Sequence, residues 1–343
     1  MSSFLKSISS LITGNEPVEE APKEGKEAKG DDHPQVEMDQ VPPTDLLVKD
    51  CASCQEECDE HQQYPSYLEL DSESPLLGSM SPYGRHFMIS TAQCDWPPRI
   101  EEDYGTLAAN LQALIVNKPM PWRTFVTNTS LIATHSTSVN CGLDVIVLPE
   151  NIVIGNVTPD DAQLLYDVFV KLPLPTTDTI DLDMFKQFDL QEMAVYPNPY
   201  DSMILICSHR KRDKRCGVTA PILNREFDHV LRDLDIQDGK GGTSVFMVSH
   251  VGGKSANTAF AGKQADETIT QSIVLGHKFA GNVICYINKG RTGIWYGRVK
   301  SCHCREIIKE TIVGGKVIKE LYRGSMNHSF GNAGQSKCNR IKW

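Results

Sequence analysis

Eleven cysteines without a secretory pattern set the first limit on what can stabilise this chain of 343 residues. Their number is odd, their spacing is irregular, and the first residues lack the charged, apolar and small-residue regions of a signal peptide. These features argue against an extracellular fold held together by disulfides. We therefore expect an intracellular protein whose reduced cysteines are metal ligands, redox groups or small buried residues.

The composition favours a protein large enough for two domains. With 40% hydrophobic residues, a chain of this length buries a substantial core. Its 34 basic and 44 acidic side chains give a formal net charge of −10, which argues against non-specific binding to nucleic acid, because such binding requires neutralisation of phosphates. No uninterrupted apolar run approaches the ~18–20 residues that a membrane span requires, so we expect a soluble protein.

The first 45 residues differ in character from the rest. Residues 1–14 predict a short amphipathic helix that lies on the protein surface or touches a membrane. Its apolar face contains Phe4, Leu5, Ile8, Leu11 and Ile12. A mitochondrial presequence is the alternative, although the segment has no arginine. Residues 15–45 are rich in Pro, Glu and Lys, so residues 1–45 as a whole predict a disordered acidic tail. We expect a cytoplasmic protein, with a mitochondrial location as the second choice.

Residues 46–195 form the first predicted α/β domain. Apolar periodicity predicts a helix over 103–116 and strands over 124–129 and 144–148. A further helix is predicted after Thr158, which is a suitable N-cap and is followed by proline.

Residues 196–325 form a second predicted α/β domain, and 326–343 a flexible tail. Its predicted strands cover 202–206, 243–248, 282–288 and 294–299. A helix over 219–234 is predicted to begin near Pro221, and a last helix near Glu306. The order of strand, cysteine-containing loop, helix and further strands is typical of a thioredoxin-like layer.

Cys207 and Cys216 flank a strongly basic segment at the end of a predicted strand. The eight residues between them contain five basic side chains and one acidic side chain. Positive charge lowers the pKa of a thiol and favours the thiolate, which binds metal or attacks a disulfide. A basic surface loop with two incidental cysteines is the alternative. His250 and His277 stand beside glycines near strand ends, where the backbone approaches a ligand closely, although a single histidine there is usually structural.

Several motifs resemble the sucrase/ferredoxin-like family. They are Ile206-Cys207-Ser208-His209, Arg212-Asp213-Lys214-Arg215-Cys216-Gly217, Ser249-His250-Val251-Gly252-Gly253 joined to His277-Lys278-Phe279-Ala280-Gly281-Asn282-Val283, Trp295-Tyr296-Gly297-Arg298-Val299, and Asp95-Trp96-Pro97 with Ile100-Glu101 in the first domain. The resemblance covers residues 50–325. It implies a C-terminal thioredoxin-like [2Fe-2S] ferredoxin domain, in which Cys207 and Cys216 hold one iron and His250 and His277 hold the other.

The resemblance implies electron transfer rather than turnover of a substrate. Replacing two thiolates by neutral imidazoles raises the potential of a [2Fe-2S] cluster, and the free ring nitrogens allow proton uptake near neutral pH. The basic residues between the cysteines are expected to stabilise the added electron. The resemblance also implies a link to actin patch organisation and tolerance of redox stress. No pair of carboxylates in a glycosidase setting supports sucrase activity.

The spacing of the two histidines departs from the family pattern of His-x-x-x-His. Here the 23 residues Lys254 to Gly276 lie between Gly253 and His277. Gly253-Lys254-Ser255 can be encoded with a splice-donor consensus and Ala265-Asp266 with a branch-point match, so we interpret 254–276 as a translated intron. The alternative is a genuine insertion that loops out and returns His277 to the site.

Two other functions use the same side chains. A thiol-disulfide oxidoreductase would use Cys207 and Cys216 directly, although their spacing is not Cys-x-x-Cys. A zinc-stabilised interaction module would use all four ligands without redox chemistry.

Two further sites lie near the ends of the chain. Cys51, Cys54, Cys58 and His61 have the spacing of a possible second metal site. The C-terminal Trp343 resembles the tail by which cytosolic iron–sulfur proteins engage the cytosolic cluster-targeting complex, so this complex is a predicted partner. Cys94, Cys141 and Cys285 are expected in the core.

Overall fold

The computed structural model describes residues 61–137, 141–176, 180–249, 251 and 279–329. These residues form a mixed α/β fold, so the predicted α/β class is confirmed. The predicted N-terminal tail and residues 254–276 lie outside the described residues, as do residues 330–343 of the predicted C-terminal tail. No helix among the described residues has the length and apolar character needed to cross a membrane.

The first half of the described chain contains a strand–helix–strand unit followed by antiparallel strands. Its strands are β1 (Arg85–Ser90), β2 (Thr124–Thr129), β3 (Leu143–Leu148), β4 (Ile152–Val157) and β5 (Ala194–Pro197). Helix α1 (Leu107–Asn117) connects β1 to β2, and α2 (Ala162–Leu165) continues as a π-helix over Tyr166–Val170. The helix predicted after Thr158 is present, and Thr158 forms a capping box with Asp161 before α2.

The second half repeats this order of elements. Its strands are β6 (Ser202–Cys207), β7 (Thr243–Val248), β8 (Val283–Ile287), β9 (Thr292–Tyr296) and β10 (Tyr322–Ser325). Helix α3 (Lys214–Asp233) connects β6 to β7, and α4 (Ser301–Glu306) continues as a π-helix over Ile307–Val313.

All ten strands form one sheet in the order β10-β9-β8-β6-β7-β2-β1-β3-β4-β5. Strands β1 and β2 are parallel, as are β6 and β7, and every other neighbouring pair is antiparallel. Each half therefore has the same strand order and directions, read outward from the junction of β2 and β7. The strand order of the second half agrees with the predicted layer, whereas its thioredoxin-like assignment and the division into two domains stay predictions.

The two halves meet through matched hydrogen bonds. At the junction, the last residues of β2 and β7 pair antiparallel. Ser130 N donates to Met247 O, and Ser249 N donates to Asn128 O, both at 2.9 Å. The two serine hydroxyls accept in turn from Met247 N and Asn128 N, both at 3.0 Å. The junction thus has local two-fold symmetry, in which each half supplies the same contacts.

The sheet folds at this junction, so that the two halves lie face to face. Phe87 and Ile89 pack beneath the helices of the first half, whereas Met88 between them faces the second half. His86 Nδ1 lies 2.7 Å from the hydroxyl of Tyr286 on β8, although three strands separate β1 from β8 in the sheet order. The result is a double-sheet core with helices on both outer sides.

Two predicted helices begin earlier than expected. Helix α3 begins at Lys214 rather than near Pro221, because the Asp213 side chain caps it by accepting from Arg215 N at 2.9 Å. Pro221 lies inside the helix on its exposed side. Cys216 therefore belongs to the first turn of a helix and not to a loop. Helix α4 likewise begins at Ser301 rather than near Glu306.

Candidate functional site

Cys207 and Cys216 lie side by side at the carboxyl end of β6. Cys207 is the last residue of β6, and Cys216 is the third residue of α3. Both residues are 0% exposed. The hydrogen bond between the two thiols, together with burial, raises the pKa of Cys216 well above its ordinary value. Without metal, Cys216 is therefore a buried thiol rather than a reactive thiolate.

For Cys216, this corrects the expectation that the intervening basic residues lower the pKa of the cysteines. Arg210, Lys211 and Lys214 are exposed, so water screens their charge. Arg215 lowers the pKa of Cys216, but it also forms an ion pair with Asp213 at 2.7 Å. Burial and the neighbouring thiol outweigh these charges.

The basic segment after Cys207 is held by the first half of the chain. Nε2 of His209 lies 3.0 Å from Trp96 O and 2.8 Å from Pro97 O. Because both partners are carbonyl oxygens, this nitrogen must donate. Lys211 N donates to Asp95 Oδ1 at 3.1 Å. The Asp95-Trp96-Pro97 motif of the first half thus fixes the segment that connects the two cysteines.

The chain on either side of the two predicted histidine ligands also reaches this site. His250 and His277 themselves lie outside the described residues. Ser249 O lies 4.0 Å from Cys207 Sγ, at the end of the neighbouring strand β7. Asn282, which precedes β8, accepts from Cys207 N through its carbonyl oxygen at 3.0 Å. The structure thus brings together the two cysteines and the strand ends that adjoin the histidines.

A buried arginine that the sequence reasoning missed completes the site. Arg323 Nη1 donates to Val251 O at 3.0 Å and to Asn282 Oδ1 at 2.7 Å. Its Nε donates to Ser79 Oγ at 2.9 Å. The guanidinium carbon lies 5.3 Å from the centre of the Phe279 ring. Burial lowers the pKa of Arg323 to about 10, so the side chain stays charged at neutral pH.

The positive charge of Arg323 acts on the two cysteines. Cys207 and Cys216 both oppose the lowering of the Arg323 pKa, which places the guanidinium within electrostatic reach of both thiols. An arginine followed by glycine in a strand was the available signal, because glycine in a strand often marks a bulge. That signal alone does not predict which site the arginine faces.

The first half lacks ligand side chains at the positions equivalent to Cys207, Cys216 and His250. Ser90 ends β1 where Cys207 ends β6, and Ala109 is the third residue of α1 where Cys216 is the third residue of α3. Leu131 stands two residues after β2, as His250 stands two residues after β7 in the sequence. The candidate ligands therefore belong to one half of a repeated architecture.

The other predicted sites have less support among the described residues. His61 Nδ1 lies 2.9 Å from Glu226 Oε1, whereas Cys51, Cys54 and Cys58 lie outside the described residues. No group of three His, Cys, Asp or Glu side chains in the described part of the chain is arranged to hold a metal ion.

The expectation that three further cysteines lie in the core was partly wrong. Cys285 on β8 is buried, but Cys94 and Cys141 are exposed. The two exposed cysteines stand in connections outside the strands, where an apolar sequence context does not imply burial.

Comparisons with known proteins agree with the motifs. A family model described as sucrase/ferredoxin-like matches residues 76–263 and 254–324. The first matched range ends and the second begins within 254–276, the segment interpreted from the sequence as a translated intron or, alternatively, a genuine insertion. The family resemblance is thereby confirmed.

The relatives are fungal proteins of similar length. Altered inheritance of mitochondria protein 32 of Debaryomyces hansenii is 26% identical over 289 residues, covering 79% of this chain and 92% of the relative. The protein of the same name from Clavispora lusitaniae is 28% identical over 279 residues, covering 76% and 88%. Actin patches distal protein 1 of Saccharomyces cerevisiae is 27% identical over 277 residues, covering 76% and 78%. No solved structure matches the chain.

Proposed function

Because the chain belongs to the sucrase/ferredoxin-like family, we propose that it is an electron-transfer protein that holds a [2Fe-2S] cluster through Cys207, Cys216, His250 and His277. The observation that carries this proposal is the pair of adjacent, fully buried thiols at the end of β6. Buried thiols of this kind become metal ligands when a metal displaces their protons, because metal binding requires deprotonated ligands.

The residues present fit a cluster of this kind. Two thiolates suit iron–sulfur chemistry, and two imidazoles in place of further thiolates reduce the negative charge that the site must bury. The buried guanidinium of Arg323 offsets part of the remaining charge. When bound, the cluster would accept and return single electrons. The histidines would hold or release a proton at their free ring nitrogens, as in the proposed coupling of proton and electron transfer.

Burial weakens the alternative of a thiol-disulfide oxidoreductase. Such enzymes attack with an accessible thiolate, whereas Cys207 and Cys216 are fully buried and the pKa of Cys216 is raised. The donor set of two cysteines and two histidines also suits zinc. A zinc-stabilised interaction module therefore remains the second candidate.

The location and partners belong to the same proposal. The names of the relatives refer to inheritance of mitochondria and to actin patches. We infer a cytoplasmic protein linked to actin patch organisation and redox stress, with a mitochondrial location as the alternative. Trp343 is the proposed attachment point for the cytosolic cluster-targeting complex.

Visible absorption together with analysis of iron, sulfide and zinc tests the proposal. The full chain is purified without oxygen, alongside Cys207→Ser, His250→Ala and the control Cys285→Ala. Cys285 is equally buried, but it faces the helix side of the second half rather than the site. We expect charge-transfer bands, iron and sulfide in the wild type and in the Cys285 variant, and their loss in the other two variants.

Other results would identify the alternatives. Zinc without sulfide would favour the interaction module, and a metal-free chain would favour thiol chemistry. If a colourless chain gains iron and sulfide after deletion of 254–276, the insertion prevents assembly and the proposed ligands stand.

A further inference from the structure

Arg323 occupies a bulge that the first half of the chain lacks. In the pairing of β9 with β10, Tyr322 faces Tyr296 and Gly324 faces Trp295, so that Arg323 is an extra residue without a partner across the strands. The equivalent pairing of β4 with β5 runs without a shift. Bulges re-aim side chains near functional sites. The half that holds the cysteines is thus also the half that turns an arginine inward.

Gly297 makes room for this arginine, and Gly324 beside it makes room for Met80. A Cβ atom at Gly297 would lie 2.8 Å from Arg323 Cδ and 2.9 Å from Leu76 Cδ2. A Cβ atom at Gly324 would lie 2.5 Å from Met80 Cγ. All three distances are shorter than van der Waals contact. The glycine of the Trp295–Val299 motif is therefore explained by the passage of the Arg323 side chain.

The guanidinium contacts the chain on both sides of residues 252–278. Val251 precedes that segment, and Phe279 and Asn282 follow it. Arg323 bonds to Val251 O and Asn282 Oδ1 and stacks on Phe279. Its bonds to Ser79 Oγ and Ser79 O, at 2.9 and 3.1 Å, fix the guanidinium from the opposite side. One buried side chain thus connects Val251 and Phe279, which are 28 residues apart in sequence.

We propose that Arg323 is a positioning residue that holds Val251 beside Phe279 and Asn282, and so fixes the distance between the described chain segments next to the two histidines, independently of the length of chain between those segments. The ligand role of the histidines rests on the proposed function, whereas the positioning of the strand ends does not. In the family pattern, three residues between the histidines limit their separation covalently. Here the longer connection limits the separation of the histidines less, because the entropic cost of bringing two chain ends together grows with the length of the chain between them.

The test compares metal retention in the full chain and after deletion of 254–276. Each background carries Arg323→Met, Arg323→Lys or the control Arg298→Met. Arg298 also lies against Phe279, at 5.1 Å, but its hydrogen bonds go to Asp71 O and Ser74 O instead of to Val251 and Asn282. Metal loss to a chelator is followed by iron and zinc release per chain.

We expect Arg323→Met to accelerate metal loss about 10- to 100-fold in the full chain, the range found for residues that orient metal ligands without touching the metal. Arg323→Lys keeps the charge but not the forked geometry, so it should have an intermediate effect. After deletion of 254–276 the effect should shrink several-fold, and Arg298→Met should have little effect in either background. Equal effects of Arg323→Met and Arg298→Met, or equal effects with and without the insertion, would overturn the proposal.

Hydrogen exchange in the metal-free chain separates this proposal from the proposed function. Arg323→Met should speed amide exchange over 279–287 at least several-fold, with Arg298→Met close to wild type. If the wild type binds no metal, the proposed function fails, and unchanged exchange in Arg323→Met would then also refute the positioning role. Circular dichroism checks folding, and Arg323→Lys replaces Arg323→Met if the methionine variant is unfolded.

Discussion

His328 shows how burial sets the charge of a single residue. The side chain is 3% exposed, and neither ring nitrogen has a hydrogen-bond partner among the described residues. Burial lowers its pKa to about 4, and the charges of Arg291 and Arg85 contribute in the same direction. His328 is therefore neutral in the folded protein at pH 7.

This histidine predicts a loss of stability in mild acid. In the unfolded chain, His328 has a pKa near 6.5 and binds a proton below that pH. In the folded chain, His328 binds this proton only when the pH approaches 4. Stability is therefore full above pH 6.5 and falls as the pH decreases toward 4, by up to about 3 kcal/mol for this group. Urea unfolding at pH 7, 6 and 5 should show a shallower pH dependence in His328→Asn than in the wild type. The exposed His229 provides the control, and a parallel pH dependence in His328→Asn would contradict the prediction.

Gly297 predicts a second effect at the residue scale. Alanine there would place a methyl group against Arg323 Cδ and Leu76 Cδ2, which should lower the free energy of unfolding by about 1–3 kcal/mol through overpacking. Gly315→Ala is the control, because it meets nothing within 4 Å and carries only the cost of a positive φ of 66°. Urea denaturation measures both. If Gly297→Ala lowers the free energy of unfolding less than Gly315→Ala does, the Arg323 side chain moves aside without destabilising the fold, which would contradict the prediction.

The site was only partly predictable at the residue scale. The cysteine motif placed Cys207 correctly at a strand end, because an apolar run followed by a polar segment marks that position. The protonation of Cys216 and the role of Arg323 were not predictable in this way. The first depends on burial and the second on neighbours more than 30 residues away. Charge counted along the sequence cannot distinguish an exposed lysine from a buried arginine.

At the scale of elements, the start of α3 decides where Cys216 lies. Asp213 caps this helix, and Thr106 caps α1 in the equivalent place of the first half. Caps and apolar runs also explain which elements the sequence predicts well, among them β2, β7 and the helix after Thr158. Strand β1 was missed because it begins with Arg85, whose charge is buried against Glu150. Strand β10 was missed because of its bulge.

The two caps give a matched pair of variants. Asp213→Ala and Thr106→Ala should each lower the free energy of unfolding by about 1 kcal/mol, the usual cost of losing a capping side chain. Only Asp213→Ala should also speed the loss of bound metal, because the first turn of α3 carries Cys216. Thermal unfolding and chelator-induced metal release measure the two effects. Equal metal release from both variants would mean that the cap does not position the cysteine.

At the scale of the whole molecule, polar contacts cross the core between the two halves. The hydroxyl of Tyr286 in the second half meets His86 at 2.7 Å and also bonds to the Tyr83 hydroxyl, both in the first half. Trp295 Nε1 donates to the Tyr83 hydroxyl at 3.0 Å. Each half therefore needs the other to bury the face of its sheet that carries no helices. Each half also needs the other to supply hydrogen-bond partners for these buried side chains.

We expect the two halves to unfold together. Tyr296 lies wholly within the second half, where its hydroxyl bonds to Thr311 Oγ1 at 2.7 Å and accepts from Ile318 N at 3.1 Å. Tyr296→Phe should cost about 1–3 kcal/mol, because it leaves buried groups without partners. Hydrogen exchange during urea unfolding should then show the same shift in β3 and β8. A shift in β8 alone would mean that the halves are independent domains.

The matched serine bonds at the junction of β2 and β7 have an evolutionary meaning. A two-fold dimer of identical subunits cannot change one side of its contact without changing the other. When the two copies are linked in a single polypeptide, each copy can change independently of the other. Ser90 and Cys207, which end the equivalent strands β1 and β6, are an example of such a difference. Under the proposed function, the second half carries the ligands and the first half serves as its packing partner. The chain thus retains a spare framework in which a new pair of ligands can arise, or be designed, without altering the first.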